Sequence, residues 1–292
     1  MTFVIILSAA FCIGLGFVLQ QRAASQAPRA DLLTYRLLLH LIRKPRWLAG
    51  IAAMAAGQVL GAIALRRADV TLVEPLLTCN LLFALALARA FAAPALGKRE
   101  WIGAFVLVFG VSAFVVAADP GSTYTPLDGV GPLAVVASLG AIAAGLVAAS
   151  RRCRSSGGRA AFLAGGAGTL YGLQDGFTRR AMLQLDDGVL RLALSWWTYA
   201  VIAVAVVSLL LAQSAFGAAP LSASLPVLTV AEPLSGIALG VGMFGEVVRL
   251  APLYLGLESA GLVAMVAGVI LLSRSPHLHV HLTRRHAASQ PS

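Results

Sequence analysis

Nine apolar runs follow one another along the chain, near residues 2–20, 46–65, 70–92, 99–118, 129–149, 160–183, 190–213, 219–245 and 251–272. Each is close to the ~20 residues a helix needs to cross the hydrocarbon core of a bilayer. Polar and charged positions collect between the runs, and the sixth and eighth runs are the most polar. The pattern predicts an all-α polytopic membrane protein of about nine transmembrane helices. The first run has no basic leader and no small-x-small cleavage site, so it reads as a retained helix rather than a signal peptide. The long connection at 21–45 carries Arg36, His40 and Arg43 at i, i+4 and i+7, one face of a helix. It predicts an amphipathic segment over 31–43 lying on the membrane surface, with Asp31 as its N-cap.

Composition agrees with the pattern. Of 292 residues 59% are apolar and 12% charged, with mean hydropathy +0.86, against about 25% charged in soluble domains. The net charge of +10 would point to nucleic acid in a soluble protein; here the basic residues read as topology signals, and no nucleic-acid partner is expected. Sixteen of the 22 Lys and Arg fall on one side of a nine-span layout. They are Arg22, Arg29, Arg36, Arg43, Lys44 and Arg46; Arg89, Lys98 and Arg99; Arg151, Arg152, Arg154 and Arg159; and Arg274, Arg284 and Arg285. The positive-inside rule then places the chain in the inner (plasma) membrane, multi-pass, with the N-terminus outside and the C-terminus cytoplasmic. Cys12, Cys79 and Cys153 are too few and too scattered for a zinc site or a disulfide framework. Gly165-Gly166-Ala167-Gly168 lacks the Lys-Ser/Thr of a phosphate loop, and no cofactor is expected. The tail histidines His277, His279, His281 and His286 read as part of a flexible end.

The two ends of the chain look alike. Gly14-Leu15 with Arg22-Ala23 matches Gly172-Leu173 with Arg180-Ala181 at an offset of 158, as Gly103 and Gly110 match Gly261 and Gly268. Between them Pro75 and Thr78 match Pro226 and Thr229 at 151, whereas Glu74-Pro75 matches Glu232-Pro233 at 158. The 151 register is preferred because it keeps each proline at a similar distance from the preceding helix. The chain then divides into a first repeat at 1–118, a linking helix and loops at 119–158, a second repeat at 159–275 and a tail at 276–292. An odd number of crossings separates equivalent helices, so the second unit of four is upside down relative to the first, a recurring transporter design.

The stretch Ala64-Leu-Arg-Arg-Ala-Asp-Val-Thr-Leu-Val-Glu-Pro75, with Lys98-Arg-Glu-Trp-Ile-Gly103 and Gly110-Val111, and its second copy through Phe244-Gly-Glu246 and Gly268-Val269, resembles the drug/metabolite transporter superfamily. Within it, Val18-Leu-Gln-Gln-Arg-Ala23 and nine spans look closest to the NIPA-type magnesium transporters, while EamA-type metabolite exporters usually have ten. The resemblance implies transport by alternating access. Each half also looks like a small multidrug resistance subunit, but residues 2–20 lack the glutamate those subunits use for proton coupling. The first half has Ala93-Pro94 where the second has Gly245-Glu246.

Ionisable groups within spans cost on the order of 3 kcal/mol each and mark candidate sites. Glu232 is deepest, preceded by Pro226 and followed by Pro233, where missing backbone hydrogen bonds make the helix prone to bend. Asp175 lies in a polar stripe with Tyr171, Gln174 and Thr178 at helical spacing. Glu258, Glu74 and Asn80 complete the predicted substrate or ion site, and Gln58 is a further membrane amide, read with Asn80 as interhelical glue. Glu232 and Asp175 are the expected ligands if the ion is a hard divalent cation, which prefers oxygen. A small cationic solute, Mg²⁺ among the candidates, is the expected substrate. A proton-coupled metabolite exporter and a non-transporting assembly protein are the alternatives. With every histidine outside the spans, no intramembrane enzyme is expected. The bilayer is the one certain partner; a homodimer is left open.

Overall fold

A computed structural model describes residues 2–65, 76–90, 97–118, 130–182, 184, 188–245 and 251–273. The described chain is helical throughout. Its helices are α1 (Thr2–Ala24), α2 (Tyr35–Leu41), α3 (Pro45–Leu65), α4 (Asn80–Ala90), α5 (Lys98–Ala118), α6 (Val130–Arg152), α7 (Ser156–Met182), α8 (Val189–Leu194), α9 (Trp196–Ala218), α10 (Leu221–Phe244) and α11 (Pro252–Ser273). Seven of them (α1, α3, α5, α6, α9, α10 and α11) are long and apolar enough to cross a membrane, and α4 is a shorter apolar helix. Large apolar side chains such as Phe105, Phe109, Leu133 and Val263 stand exposed on their outer faces. Such a surface suits lipid, and the chain is a membrane-embedded helical bundle.

At 27 residues α7 is long enough to be an eighth span, but it is less apolar than the seven and is not among them. The reason lies in its neighbours. α6, α9 and α10 all pack on α7, and every residue from Leu163 to Leu170 is buried. A helix enclosed by other helices need not be apolar for the sake of lipid, and small residues at its surface let the neighbours close in.

The predicted boundaries hold to within a few residues for most spans, with three differences. Of the third run, predicted over 70–92, the described part has a turn at Thr78 and Cys79 before α4 begins at Asn80, residues 66–75 lying outside the described residues. The seventh run begins at Trp196 rather than 190, because Ser195 starts a new helix: its Oγ accepts the Trp197 N–H at 3.2 Å, a side-chain N-cap. Residues 189–194 form the separate helix α8. In the 31–43 segment Asp31 is not the N-cap; it closes a 3-10 turn over Arg29–Asp31, and α2 begins after Thr34. Leu33 sits between the two at a φ of 63°, a left-handed conformation that a leucine adopts only when its surroundings hold it there. Its N–H donates to Ser214 Oγ on α9 at 3.0 Å, and the next turn seats Leu37 and Leu41 in the core. Arg36 and Arg43 stay exposed, so this segment is clamped to the bundle as well as amphipathic.

Helix direction follows from the close contacts. Along α1 and α3, Gly16 faces Gly50 while Gly57 faces Ala9 and Ile13, so the two run antiparallel. α7 and α10 run parallel, with Gly168, Gly172 and Gly176 meeting Leu228, Glu232 and Leu239 in order. Between α5 and α11, Gly103 meets Gly268 and Gly110 meets Gly261, again antiparallel.

Candidate functional site

Glu232 lies eleven residues after Leu221 and twelve before Phe244 on α10, about 17 Å from either end at about 1.5 Å per residue. The helix runs unbroken through Pro226 and Pro233, so the expected proneness to bend does not become a break. Proline still has no N–H to give, and the carbonyls of Ser222 and Thr229, four residues before each, lose their usual donors. The Thr229 carbonyl is therefore an oxygen with spare capacity one turn before Glu232. The Thr229 hydroxyl does not fill that role, since it donates back to the Leu225 carbonyl at 2.9 Å.

The backbone of Glu232 is pressed against α7. A Cβ on Gly172 would stand 2.5 Å from the Glu232 carbonyl oxygen and 2.7 Å from the Gly236 nitrogen, separations no side chain tolerates. Only glycine lets the two helices approach so closely. Beside it on α7, Tyr171 is near enough to interact electrostatically with the half-buried Glu232 carboxylate.

The first half repeats the docking. A Cβ on Gly14 of α1 would stand 2.7 Å from the Asn80 carbonyl oxygen and 2.9 Å from the Ala84 nitrogen. Asn80 thus occupies on α4 the place that Glu232 occupies on α10, with the residues four later, Ala84 and Gly236, in register. The offset is 152, one residue from the register preferred on sequence. Asn80 Oδ1 is buried with no hydrogen-bond partner among the described residues. Below it, Thr78 Oγ1 and Ser112 Oγ of α5 lie 3.2 Å apart in a hydrogen bond.

The remaining predicted residues divide. Gln174 turns toward α9, where its Oε1 accepts the Ser208 hydroxyl at 3.4 Å; Asp175 and Thr178 are exposed. The polar stripe therefore faces three different surroundings rather than one cavity. Glu258 is half-buried on α11, its Oε1 without a hydrogen-bond partner among the described residues. Gln58 is exposed on α3, and Glu74 lies outside the described residues. Among the described residues no three His, Cys, Asp or Glu side chains gather in one place. A divalent ion at Glu232 would have to take most of its oxygens from backbone carbonyls and water.

Sequence reasoning passed over one polar contact. Gln213 of α9 and Gln20 of α1 are both buried, and Gln213 Nε2 donates to Gln20 Oε1. Gln20 Nε2 in turn donates to Met54 Sδ of α3 at 2.6 Å. The available signal was an amide near the end of each apolar run, Gln20 beside Gln21 in the first and Gln213 in the seventh. The aromatic residues at the other end are less promising as a binding surface. Trp197 packs edge-on to Phe177 at 5.6 Å and under Arg180 at 5.6 Å, while Trp196 and Tyr199 are exposed, the placement of interfacial anchors.

Across 272 residues the chain is 28% identical to an uncharacterized protein of Corynebacterium glutamicum, covering 92% of this chain and 93% of that one. The likeness therefore extends through both halves and the helix between them. No family model and no solved structure matches the chain.

Proposed function

We propose that the chain is a secondary transporter of a small cationic solute, built as nine spans in two inverted four-helix repeats around Glu232, and that it resembles the drug/metabolite transporters in this. The third and sixth predicted runs supply α4 and α7 as the two spans beyond the seven apolar ones. The observation that carries the reading is the twin docking of Asn80 on Gly14 and of Glu232 on Gly172. Equivalent backbone contacts put a neutral amide in one half and a carboxylate in the other, at a depth a glutamate cannot leave by stretching toward water. The contact between α5 and α11 supports the same arrangement. Gly103 meets Gly268 and Gly110 meets Gly261, the reciprocal pattern of two equivalent surfaces about a two-fold axis. Exchange of conformations between two such halves opens a central site to each side in turn.

With the basic end inward by the positive-inside rule, the protein sits in the plasma membrane with its N-terminus outside. Mg²⁺ fits the oxygen-donor character of the site, and the NIPA-type resemblance points the same way. A proton-coupled exporter of metabolites is the second reading, favoured by the absence of a three-ligand cluster among the described residues: a single deep carboxylate suffices to carry a proton. Purified protein in liposomes distinguishes them. Mg²⁺ flux that Glu232→Gln loses at normal expression supports the first reading. Metabolite flux driven by a pH gradient and lost in the same variant supports the second. Flux that the variant leaves intact removes Glu232 from the site under either.

A further inference from the structure

The end of the bundle that carries most of the positive charge contains an open cavity of about 190 Å³. It is lined by Arg29 from the segment after α1, by Arg154 and Ser155 from the α6–α7 turn, and by Ser156 and Arg159 from the first turn of α7. No carboxylate lines it among the described residues. We propose that this cavity binds a phosphate-bearing anion, either the headgroup of an anionic lipid or a soluble phosphate compound.

A topology signal needs its arginines only on the correct side of the membrane. It does not need three of them, from segments more than a hundred residues apart, to line one cavity. Arg159 Nε is moreover buried without a hydrogen-bond partner among the described residues, and a buried guanidinium donor left unmade is costly. An anionic oxygen would satisfy it, in the geometry for which arginine is suited. The cavity also opens on the start of a 27-residue helix. Ser155 Oγ accepts the Gly158 N–H at 3.1 Å, leaving the N–H groups of Ser156 and Gly157 without helical acceptors at the positive end of the α7 dipole. A Cβ at Gly157 would meet nothing within 4 Å, so this turn is open to a ligand.

The position of Arg29 is fixed. Leu32 and Ala24 pack over Gly217 of α9, where a Cβ would stand 2.9 Å from Leu32 Cδ2, and Leu33 is tied to Ser214. A bound phosphate would bridge the segment after α1 to the helix that begins the second half. It would thereby hold together parts of the chain that alternating access has to move, a natural point for control by lipid or metabolite.

The test uses the full-length protein in detergent. Binding of phosphatidylglycerol and phosphatidylcholine is followed by native mass spectrometry, and that of inorganic phosphate by calorimetry. Arg29 and Arg154 are exposed, so Arg29→Gln/Arg154→Gln should fold; a melting curve checks this, and Arg154→Gln alone is the fallback. Arg151→Gln/Arg152→Gln removes the same charge from outside the cavity. At about fivefold per arginine, the cavity variant should bind about 25-fold more weakly, the single variant about fivefold, and the control within about twofold of wild type. Phosphatidylglycerol binding without phosphate binding assigns a lipid; phosphate binding without preference between the lipids assigns a soluble ligand; both together support the shared chemistry. Equal losses in cavity and control variants, or no binding of either anion by wild type, would overturn the proposal.

Discussion

Gly172 and Gly145 are both helical glycines, yet they have opposite consequences. At Gly145 an added Cβ would meet nothing within 4 Å, whereas at Gly172 it would strike the backbone of Glu232 and Gly236. Gly145→Ala should therefore raise the melting temperature slightly, by the roughly 0.5–1 kcal/mol that alanine gains over glycine within a helix. Gly172→Ala should lower stability by about 1–3 kcal/mol, the usual cost of overpacking, and should reduce transport further by displacing Glu232. Detergent-solubilised thermal melts of the two variants, run beside liposome flux, check both. A Gly172→Ala protein as stable and active as wild type would mean that α7 and α10 are not docked this way. Glu232 could be singled out from the sequence because an isolated carboxylate between two prolines in an apolar run is conspicuous. The partnership of Asn80 with Gly14 could not, because a one-residue difference in register is decided by helix packing and not by the matching of residue types. The same applies to Gln174, whose spacing gives the face of α7 it shares with Tyr171 but not that α9 offers Ser208 to bond it.

For the helices, the apolar runs located most span boundaries to within a few residues, the third run being one exception. They failed where a polar side chain decides: Ser195 separates α8 from α9, and Leu33 with Ser214 delays the start of α2. The amides that tie α1 to α9 provide a test of this level. Replacing one of a buried hydrogen-bonded pair leaves its partner unsatisfied, while replacing both with apolar groups is far milder. Gln213→Leu should thus lower the unfolding midpoint more than the double variant Gln20→Leu/Gln213→Leu does. The coupling between the two sites should be about 0.6–2 kcal/mol, the range found for polar contacts within membranes. A double-mutant cycle measures it directly, and strictly additive losses would mean that the two helices do not meet through these side chains.

The arrangement of the bundle as a whole rests on the sidedness of its charge. Cys153 lies at the basic end, half-buried, with Sγ 3.7 Å from Ser155 Oγ. In a Cys12→Ala/Cys79→Ala background, a membrane-impermeant maleimide should label it in inside-out vesicles and not in intact cells. Labelling of intact cells instead would reverse the proposed orientation. Composition and charge were enough to predict a helical membrane protein, whereas which helices end up shielded from lipid depends on contacts between distant parts of the chain. That dependence has a consequence for how the protein is made. A helix without enough apolar character to leave the translocon for lipid unaided cannot be committed to the membrane when it is first synthesised. α7 emerges before the α9 and α10 that enclose it, with only α6 in place. On the proposed nine-span layout its insertion must wait for translation of the chain beyond it, so that a polypeptide cut short near residue 188 should leave α7 outside the bilayer while the apolar α1, α3, α5 and α6 are already seated.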